Sequence, residues 1–253
     1  HSIRFVTHQN FESLVQAHGL EFWSIEGSVQ DIVEDDEMRA RIEKGNFLAI
    51  MSQMAKEAQA GGIRLAQGGL AACQGMDLVL AGMGGMYIGI ALAEKLNLPM
   101  LQAHLVPFTP TQQFPSVLVP SLPVWLGSSI NRLSHQLTRQ VMWQGFRSAD
   151  KLARQQVLGL PAAPFWGPYN APCMQDLPIL YGFSPSVIPA PVDWGSEVHI
   201  TGYWFLDSED DWSPPPALMD FLEAGPPPVY IGFGSMSNRK PEETADLILQ
   251  ALG

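Results

Sequence analysis

A short run of glycine and serine near the end of the chain has the residue types that bind a phosphate group. The apolar residues 229–233 lead into Gly234 and Ser235, and a helix is predicted to begin at Pro241. Because Gly232 and Gly234 have no side chains, the backbone there can approach a bulky anion, and Ser235 adds a hydroxyl donor. Similar turns also join strands to helices without binding anything. The sequence is therefore compatible with a phosphate-binding turn and with a turn that only connects a strand to a helix.

A second glycine-rich loop, residues 82–85, follows a predicted strand and precedes a predicted helix, as in a dinucleotide-binding loop. Here Tyr87 occupies the position of the third glycine, and residues 95–149 contain no Asp or Glu that could bind a ribose. The pattern therefore disfavours an NAD-dependent oxidoreductase. Two alternatives remain: a tight turn that brings the helix close to the sheet, or a loop whose Met83 and Met86 contact an apolar ligand.

Other catalytic or metal-binding patterns are absent from the sequence. The six histidines are scattered without metal-ligand spacing, and there is no Gly-x-Ser-x-Gly motif. His104 ends a predicted strand, where it either faces a ligand or belongs to the core or its rim. Cys73 and Cys173 show no paired spacing, which predicts a reducing compartment such as the cytosol.

The composition is that of a folded chain with a sizeable core. Of 253 residues, 46% are hydrophobic and 15% charged, and the net charge of -11 argues against nucleic acid as a partner. Residues 95–149 carry basic residues but no acidic ones. Such a segment fits a hydrophobic ligand pocket, a surface that meets an anionic membrane, or buried core. No run of residues predicts a transmembrane helix, since prolines interrupt the nearest one, 114–130.

Strand-like and helical runs alternate along the chain, which predicts an α/β fold with a Rossmann-like, doubly wound parallel sheet. A βαβ unit over residues 76–101 is the clearest part of this pattern. Strands are predicted at residues 3–7, 20–25, 76–81, from 98, at 179–182 and at 199–205. Helices are predicted at residues 11–18, 87–96, 128–158 and 217–223.

Two helical regions carry finer predictions. Residues 43–74 read as mostly helical, but the pairs Gly61-Gly62 and Gly68-Gly69 predict a kink or two consecutive helices. In the region 128–158, apolar residues recur at spacings of three and four, and Ser128 or Ser129 is expected to cap the start. Those apolar residues are Ile130, Leu133, Leu137 and Val141.

Prolines and acidic residues divide the chain. We predict an N-terminal domain over residues 1–206, a linker over 207–227, and the first strand and helix of a second domain over 228–253. The first residues read as a strand with nothing before it, and the second domain stops after one helix. We therefore expect the chain to be a fragment, truncated at both ends.

Four blocks resemble those of the inverting GT-B glycosyltransferases that use nucleotide-sugar donors, most closely the sterol 3-beta-glucosyltransferase-like branch. The last two blocks are specific when they occur together. The blocks are residues 1–7 (HSIRFVT), 75–80 (GMDLVL) with 93–99 (AEKLNLP), 107–115 (PFTPTQQFP) and 228–236 (PVYIGFGSM).

The resemblance implies two Rossmann-like domains, of which the first binds the acceptor and the second the nucleotide-sugar. By this resemblance Gly234 and Ser235 contact the diphosphate of the donor. The acceptor site would be formed by Met83, Met86, His104, Phe108, Thr109 and Phe114. The catalytic base of the family would precede His1, so the fragment is expected to be inactive. No metal or other cofactor is expected, because helix dipoles and backbone N–H groups offset the diphosphate charge.

For the parent protein, the resemblance implies transfer of a hexose, glucose from UDP-glucose, to a hydroxyl of an apolar acceptor such as a sterol or lipid alcohol, with inversion. A cytoplasmic protein, peripheral at a membrane surface, would fit this activity. The alternative is a module that binds a hydrophobic ligand or a membrane without catalysis. An NAD-dependent oxidoreductase is the remaining, disfavoured reading.

Overall fold

The computed structural model describes residues 2–25, 47–119, 127–206, 213–233 and 241–252. Over these ranges the chain is an α/β protein, as predicted. The strands are β1 (Arg4–His8), β2 (Glu21–Ile25), β3 (Val79–Ala81), β4 (Met100–His104), β5 (Ile179–Tyr181) and β6 (Val198–Ile200). The helices are α1 (Glu12–Ala17), α2 (Phe47–Ala72), α3 (Met86–Leu96), α4 (Ser128–Leu152), α5 (Pro216–Glu223) and α6 (Pro241–Leu252). Short 3-10 turns occur at Gln9–Phe11 and Pro172–Met174, and α4 continues into a π-helical segment, Ala153–Leu158.

All the described strands pair in parallel. β1 pairs with β2, and a separate four-stranded sheet has the order β3-β4-β5-β6. The predicted βαβ unit is confirmed as β3, α3 and β4, with Val79 opposite Met100. The described strands thus form two parallel ladders, one of two strands and one of four. Since parallel strands run the same way, β3, β4 and β5 end at one edge of the larger sheet, and the loops that follow them meet there.

Helix α3 packs closely on the larger sheet because of its one glycine, Gly89. A Cβ atom added at Gly89 would lie 3.2 Å from Cβ of Ala81 and 3.3 Å from Cε of Met100. One added at Gly82 would lie 2.8 Å from the backbone oxygen of Ala103. Gly89 therefore allows a close approach of α3 to the sheet, and Gly82 allows a close approach of the loop after β3 to strand β4.

The glycine pairs of α2 do not divide it, so the alternative of two consecutive helices was wrong, and the alternative of a kink stays a prediction. α2 is continuous from Phe47 to Ala72. A Cβ atom at Gly62 would lie 3.3 Å from the backbone oxygen of Ala149 in α4, and one at Gly69 would lie 2.6 Å from Cδ1 of Leu92 in α3. Two of the four glycines thus face neighbouring helices, where the absent side chains allow close packing. The helix-to-helix contacts outweigh the low helix propensity of glycine.

Helix α4 confirms the predicted helical region but corrects two details. Its N-cap residue is Gly127, with φ of 79°, and no side chain caps the first turn, so the predicted serine cap was wrong. The apolar residues spaced by three and four also do not form the buried face of the helix, since Leu133 and Leu137 are 60% and 58% exposed. The buried face of α4 carries Ser134, His135, Thr138, Trp143, Ala149 and Asp150.

The core lies between α3, the larger sheet and α4. Trp143 is fully buried there, and its Nε1–H donates to the backbone oxygen of Phe165 at 3.0 Å. The hydroxyls of Tyr87 and Tyr169 lie 2.7 Å apart on the same side of the core. Cys73 and Cys173 are free thiols. Among the described helices, none combines the length and the hydropathy needed to cross a membrane.

The final described segments differ in part from prediction. Helix α5 confirms the predicted helix, and α6 begins at Pro241 as expected. The strand expected after the prolines is not formed: residues 226–233 have no strand assignment, and Tyr230 is 91% exposed. A strand needs a neighbour to receive its backbone hydrogen bonds, and no described strand pairs with this segment. The predicted division into two domains and a linker stays a prediction.

Candidate ligand-binding site

A cavity of about 220 Å³ lies where the loops after β3 and β4 meet helix α4. Ligands of open α/β sheets bind at this edge, beyond the carboxyl ends of the strands. Two thirds of its lining residues are apolar. The lining residues are Met83, Pro107, Phe108, Ser116, Val117, Leu118, His135, Thr138 and Met142. The arrangement can hold an apolar group and offers it a small number of polar contacts.

The start of the loop after β4 is held by the hydroxyl of Tyr181, at the end of β5. That oxygen accepts hydrogen bonds from the backbone N–H groups of Phe108 at 3.0 Å and Thr109 at 2.7 Å. It also lies 2.8 Å from the hydroxyl of Thr109. Tyr181 is fully buried, and burial raises the pKa of its hydroxyl, which keeps it protonated. Phe108 is thereby fixed as one wall of the cavity.

The middle of the same loop is held by Asp193. The carboxylate accepts the hydroxyl proton of Thr111 at 2.6 Å and the backbone N–H of Gln112 at 2.8 Å. The hydrogen bond from Thr111 holds the pKa of this carboxyl below its usual range, so the loop meets an ionised acceptor.

The end of the loop is joined to α4 by hydroxyl contacts. The backbone N–H of Ser116 donates to Oγ of Ser134 at 2.9 Å, and the hydroxyl of Ser116 donates to Oγ1 of Thr138 at 2.7 Å. All three side chains are buried. These contacts explain why the buried face of α4 is polar at this point: it pairs with a loop that carries polar groups of its own.

His135 is buried and lines the cavity. Its Nε2 atom lies 3.1 Å from the backbone oxygen of Phe114. A carbonyl oxygen only accepts, so Nε2 carries a proton. Burial lowers the pKa of His135, which favours the neutral ring with a bare Nδ1. The ring therefore presents a hydrogen-bond acceptor at Nδ1.

Arg139 stands behind the cavity wall. Its guanidinium lies 5.0 Å from the ring centres of both Phe108 and Tyr169, and its Nε–H donates to the backbone oxygen of Phe108 at 3.3 Å. Within the described ranges no carboxylate forms an ion pair with it. Burial lowers the pKa of Arg139, yet a guanidinium stays charged in proteins. The two aromatic faces are therefore its principal stabilising contacts.

His104 is buried next to this group, with its ring centre 5.5 Å from Phe108 and 5.8 Å from Tyr181. Its Nδ1 atom is sealed from solvent without a hydrogen-bond partner. Burial, followed by the charge of Arg139, lowers the pKa of His104 to about 4. The residue is therefore neutral and supports the wall from behind.

The structure brings some of the predicted site residues together and separates others. Met83 and Phe108 line the cavity, whereas Met86 is 1% exposed in the core and does not line it. His104 and Thr109 support the wall, and Phe114 binds His135 through its backbone oxygen. Gly234 and Ser235 lie outside the described residues. Direct contact of these residues with a ligand stays a prediction.

Sequence reasoning missed the other seven lining residues, which are Pro107, Ser116, Val117, Leu118, His135, Thr138 and Met142. His135 and Thr138 lie three residues apart and so share one face of a helix, but the sequence alone does not show that this face is buried. Polar residues on the packed face of a helix require partners, which is the feature that marks a site. Among the described residues no group of three or more His, Cys, Asp or Glu side chains is placed to hold a metal ion.

A second cavity, of about 600 Å³, lies near the end of α3, next to the residue that begins β4. Glu94 lines it and is paired with Arg154 at 2.6 Å. The carboxyl ends of the strands are not part of it. We therefore take the smaller cavity as the candidate site.

Comparison with known proteins gives one consistent result. Sterol 3-beta-glucosyltransferases of Cryptococcus neoformans, Neurospora crassa and Komagataella phaffii are 31%, 32% and 33% identical to the chain, in each case over 100% of its length. The chain spans 16%, 16% and 20% of the length of these curated relatives. No protein-family model matches it. The predicted resemblance is thus confirmed at the level of sequence.

Among solved structures, the crystal structure of CalG4, the calicheamicin glycosyltransferase, is similar with a TM-score of 0.44 and 16% sequence identity. The similarity covers 85% of this chain and 46% of that one.

Proposed function

We propose, on the premise that this chain is homologous over its whole length to a segment of sterol 3-beta-glucosyltransferases, that it forms the acceptor-binding part of a glycosyltransferase. The parent protein would transfer glucose from UDP-glucose to the hydroxyl of a sterol or another apolar alcohol. The observation that carries this proposal is the apolar cavity at the carboxyl edge of the larger sheet, with Met83 and Phe108 in its lining.

The reaction would be a displacement with inversion. A base removes the proton of the acceptor hydroxyl while that oxygen forms a bond to the anomeric carbon of the sugar. The bond from the anomeric carbon to the diphosphate oxygen breaks, and its electron pair leaves with the diphosphate. The described residues would hold the acceptor in line with the donor. Fixing the distance and angle between the two reacting groups before reaction lowers the barrier to transfer. The donor would be held by the turn at Gly234 and Ser235, and we propose that no metal takes part.

The size of the cavity limits what it receives. Its volume of about 220 Å³ is below the roughly 300–1,000 Å³ of pockets that enclose whole small ligands. Val117 and Leu118 line it and are 56% and 44% exposed, so apolar surface continues from the cavity to solvent. A sterol-sized acceptor would place one end in the cavity and lie against this rim.

Glucose transfer by the natural gene product that carries this sequence tests the proposal. We expect label from UDP-[14C]glucose to appear in a glucoside of cholesterol dispersed in detergent. The variant Met83→Trp narrows the cavity and should raise KM for the sterol by about tenfold, the effect of losing one good apolar contact. It should leave KM for UDP-glucose unchanged.

The matched control is Met219→Trp, in the exposed helix α5, which does not line the cavity. It should leave both KM values unchanged. Labelled products from small polar alcohols alone, with none from any sterol, would contradict the proposal.

A membrane-facing role for the rim is favoured by Val117 and Leu118, which are exposed and lie within the acid-free residues 95–149. We propose that this rim touches a membrane from the cytoplasmic side and receives the apolar alcohol there. Vesicles containing one third phosphatidylserine should retain the protein in a sedimentation assay, and Val117→Asp with Leu118→Asp should release it. Retention without any glucosyl transfer by the natural gene product would favour the alternative, a non-catalytic lipid-binding module.

A further inference from the structure

Two neighbouring side chains of α4 supply hydrogen-bonding groups to an otherwise apolar cavity. His135 and Thr138 lie three residues apart, so they share one face of the helix. They are 2% and 5% exposed, and both line the cavity. A buried polar group costs free energy unless it finds a partner. The partners that each group already has, and those that it lacks, therefore indicate what the cavity accepts.

His135 offers an acceptor. Its Nε2–H is used by the backbone oxygen of Phe114, so the lone pair of the neutral ring is on Nδ1. No described residue donates a hydrogen bond to that atom. In contrast to Nδ1 of His104, it is not among the described polar atoms that are sealed from solvent without a partner. Since the side chain is almost wholly buried and lines the cavity, Nδ1 is reached through the cavity.

Thr138 offers a donor. Its Oγ1 atom receives the hydroxyl proton of Ser116 at 2.7 Å, and Ser116 is held in place by its own backbone bond to Ser134. No described residue accepts the hydroxyl proton of Thr138. Because Ser116 already occupies one acceptor position of Oγ1, what Thr138 has left to offer the cavity is chiefly its proton.

We propose that Nδ1 of His135 and the hydroxyl of Thr138 together bind one hydroxyl group of the ligand. A hydroxyl both donates and accepts, so in the bound state before transfer it donates to Nδ1 and accepts from Thr138, and both protein groups are satisfied. At transfer the base of the parent protein takes this proton. The inference rests on the proposed function, which supplies an apolar alcohol as ligand. It deepens that function by assigning two residues that select an alcohol over a hydrocarbon of the same shape.

Binding of a matched pair of ligands to the full chain tests this. The probes are cholesterol and cholest-5-ene, the same molecule without its hydroxyl, each delivered from cyclodextrin. The readout is tryptophan fluorescence, since Trp143 belongs to the same core cluster as the lining residues Phe108 and Met142. A site whose polar groups require a hydroxyl rejects the analogue that lacks it. We expect cholesterol to bind at least about tenfold more tightly than cholest-5-ene.

Two variants each remove one of the two proposed hydrogen bonds to the ligand. His135→Gln keeps a donor for the oxygen of Phe114 and removes the acceptor at Nδ1. Thr138→Val is isosteric and removes the donor. Thr138→Val also removes the acceptor of the Ser116 hydroxyl, and binding of the hydrocarbon probe reports whether that loss disturbs the cavity. Each should weaken cholesterol binding by about tenfold and leave cholest-5-ene binding unchanged. A variant that merely misfolded would lose both ligands. Gln136→Ala, on the exposed side of α4, is the control and should bind both as the original chain does.

The outcomes separate this inference from the proposed function. Equal affinity for the two probes, or a preference for cholesterol that survives in both variants, would overturn the inference and leave an apolar-acceptor site standing. Binding of neither probe would overturn both. If both variants lose the preference for cholesterol over cholest-5-ene and still bind cholest-5-ene, the result supports a hydroxyl site formed by His135 and Thr138.

Discussion

The hydroxyl oxygen of Tyr181 lies 2.7 Å from the backbone nitrogen of Thr109, and the two residues are 72 positions apart in the chain. This bond joins the end of β5 to the loop after β4, beside the cavity. Because the same oxygen also receives the backbone N–H of Phe108, one buried phenol satisfies two backbone donors. The position of the Phe108 wall therefore depends on a side chain from the neighbouring strand.

Replacing Tyr181 with Phe should destabilise the fold and loosen the cavity. The backbone N–H of Phe108 would be left buried without a partner, which costs about 1–3 kcal/mol. We expect the free energy of unfolding in urea to fall by that amount. Tyr203→Phe, at an exposed tyrosine of the same sequence, is the control and should change it by less than about 0.5 kcal/mol. Equal effects of the two substitutions would show that the Tyr181 hydroxyl does not hold the loop.

The glycines of α2 give a second prediction, because Gly61 and Gly62 differ only in what they face. A Cβ atom at Gly61 meets nothing within 4 Å, so Gly61→Ala should stabilise the protein by about 0.5–1 kcal/mol through higher helix propensity. A Cβ atom at Gly62 would lie 3.3 Å from the backbone oxygen of Ala149. We expect Gly62→Ala to lose this gain or to destabilise.

Thermal unfolding of the two variants decides the question. Equal stabilisation by Gly61→Ala and Gly62→Ala would mean that α2 and α4 do not need a glycine between them. The pair of variants shares composition and helix position, so intrinsic propensity cancels in the comparison.

The order of strands and helices was readable from the sequence because it depends on local patterns. The βαβ unit around α3 was predicted from the alternation of a buried run, a glycine loop and an amphipathic run. Which residues of other elements each helix contacts could not be predicted from such local patterns. Gly62 and Gly69 look like helix breakers until Ala149 and Leu92 are placed beside them.

The same limit applies to the site. The row of Leu133 and Leu137 has the spacing of a core face, yet the buried face is the polar one that contacts Ser116. The partners of this polar face are polar groups of the loop after β4, and the spacing of residues within α4 cannot predict a contact with that loop. Met83 and Phe108 were found because their blocks resemble a family, whereas His135 and Thr138 carry no motif and were missed.

The pH dependence of stability gives a third prediction. Burial, and then the charge of Arg139, lowers the pKa of His104 from 6.5 to about 4 in the folded chain. Between these values the unfolded chain binds a proton that the folded chain does not, so stability falls as pH falls from about 6.5 to about 4. At 1.36 kcal/mol per pKa unit the loss amounts to about 3 kcal/mol. The pKa of His135 is also lowered by burial, so it contributes with the same sign.

Urea titrations at several pH values between 4 and 7 measure this dependence. His104→Leu removes one of the two histidines and should make the curve of unfolding free energy against pH shallower, with a remainder from His135. Gln136→Ala, at an exposed residue of α4 that does not titrate, is the control and should leave the curve as it was. An unchanged curve for His104→Leu would show that His104 is already protonated, or solvated, in the fold.

The fourth prediction compares two arginines that stack on aromatic rings in different surroundings. Arg139 lies 5.0 Å from the rings of Phe108 and Tyr169 in the buried wall of the site, whereas Arg147 lies 5.1 Å from the exposed ring of Phe165. Lysine keeps the charge but loses the planar stacking and the Nε–H bond to the backbone of Phe108. We expect Arg139→Lys to lower the free energy of unfolding by about 1–2 kcal/mol, the value of a desolvated cation–π contact.

Arg147→Lys should change the free energy of unfolding by less than about 0.5 kcal/mol, because water screens the exposed pair. The comparison also tests the wall of the cavity, since only Arg139→Lys should weaken binding of cholesterol. If both variants lose the same stability, burial does not strengthen the Arg139 contacts. In that case the two rings would not account for the stability of the buried cation. If Arg139→Lys alone is destabilised and binds cholesterol less tightly, the aromatic pair both stabilises the buried charge and fixes the Phe108 wall.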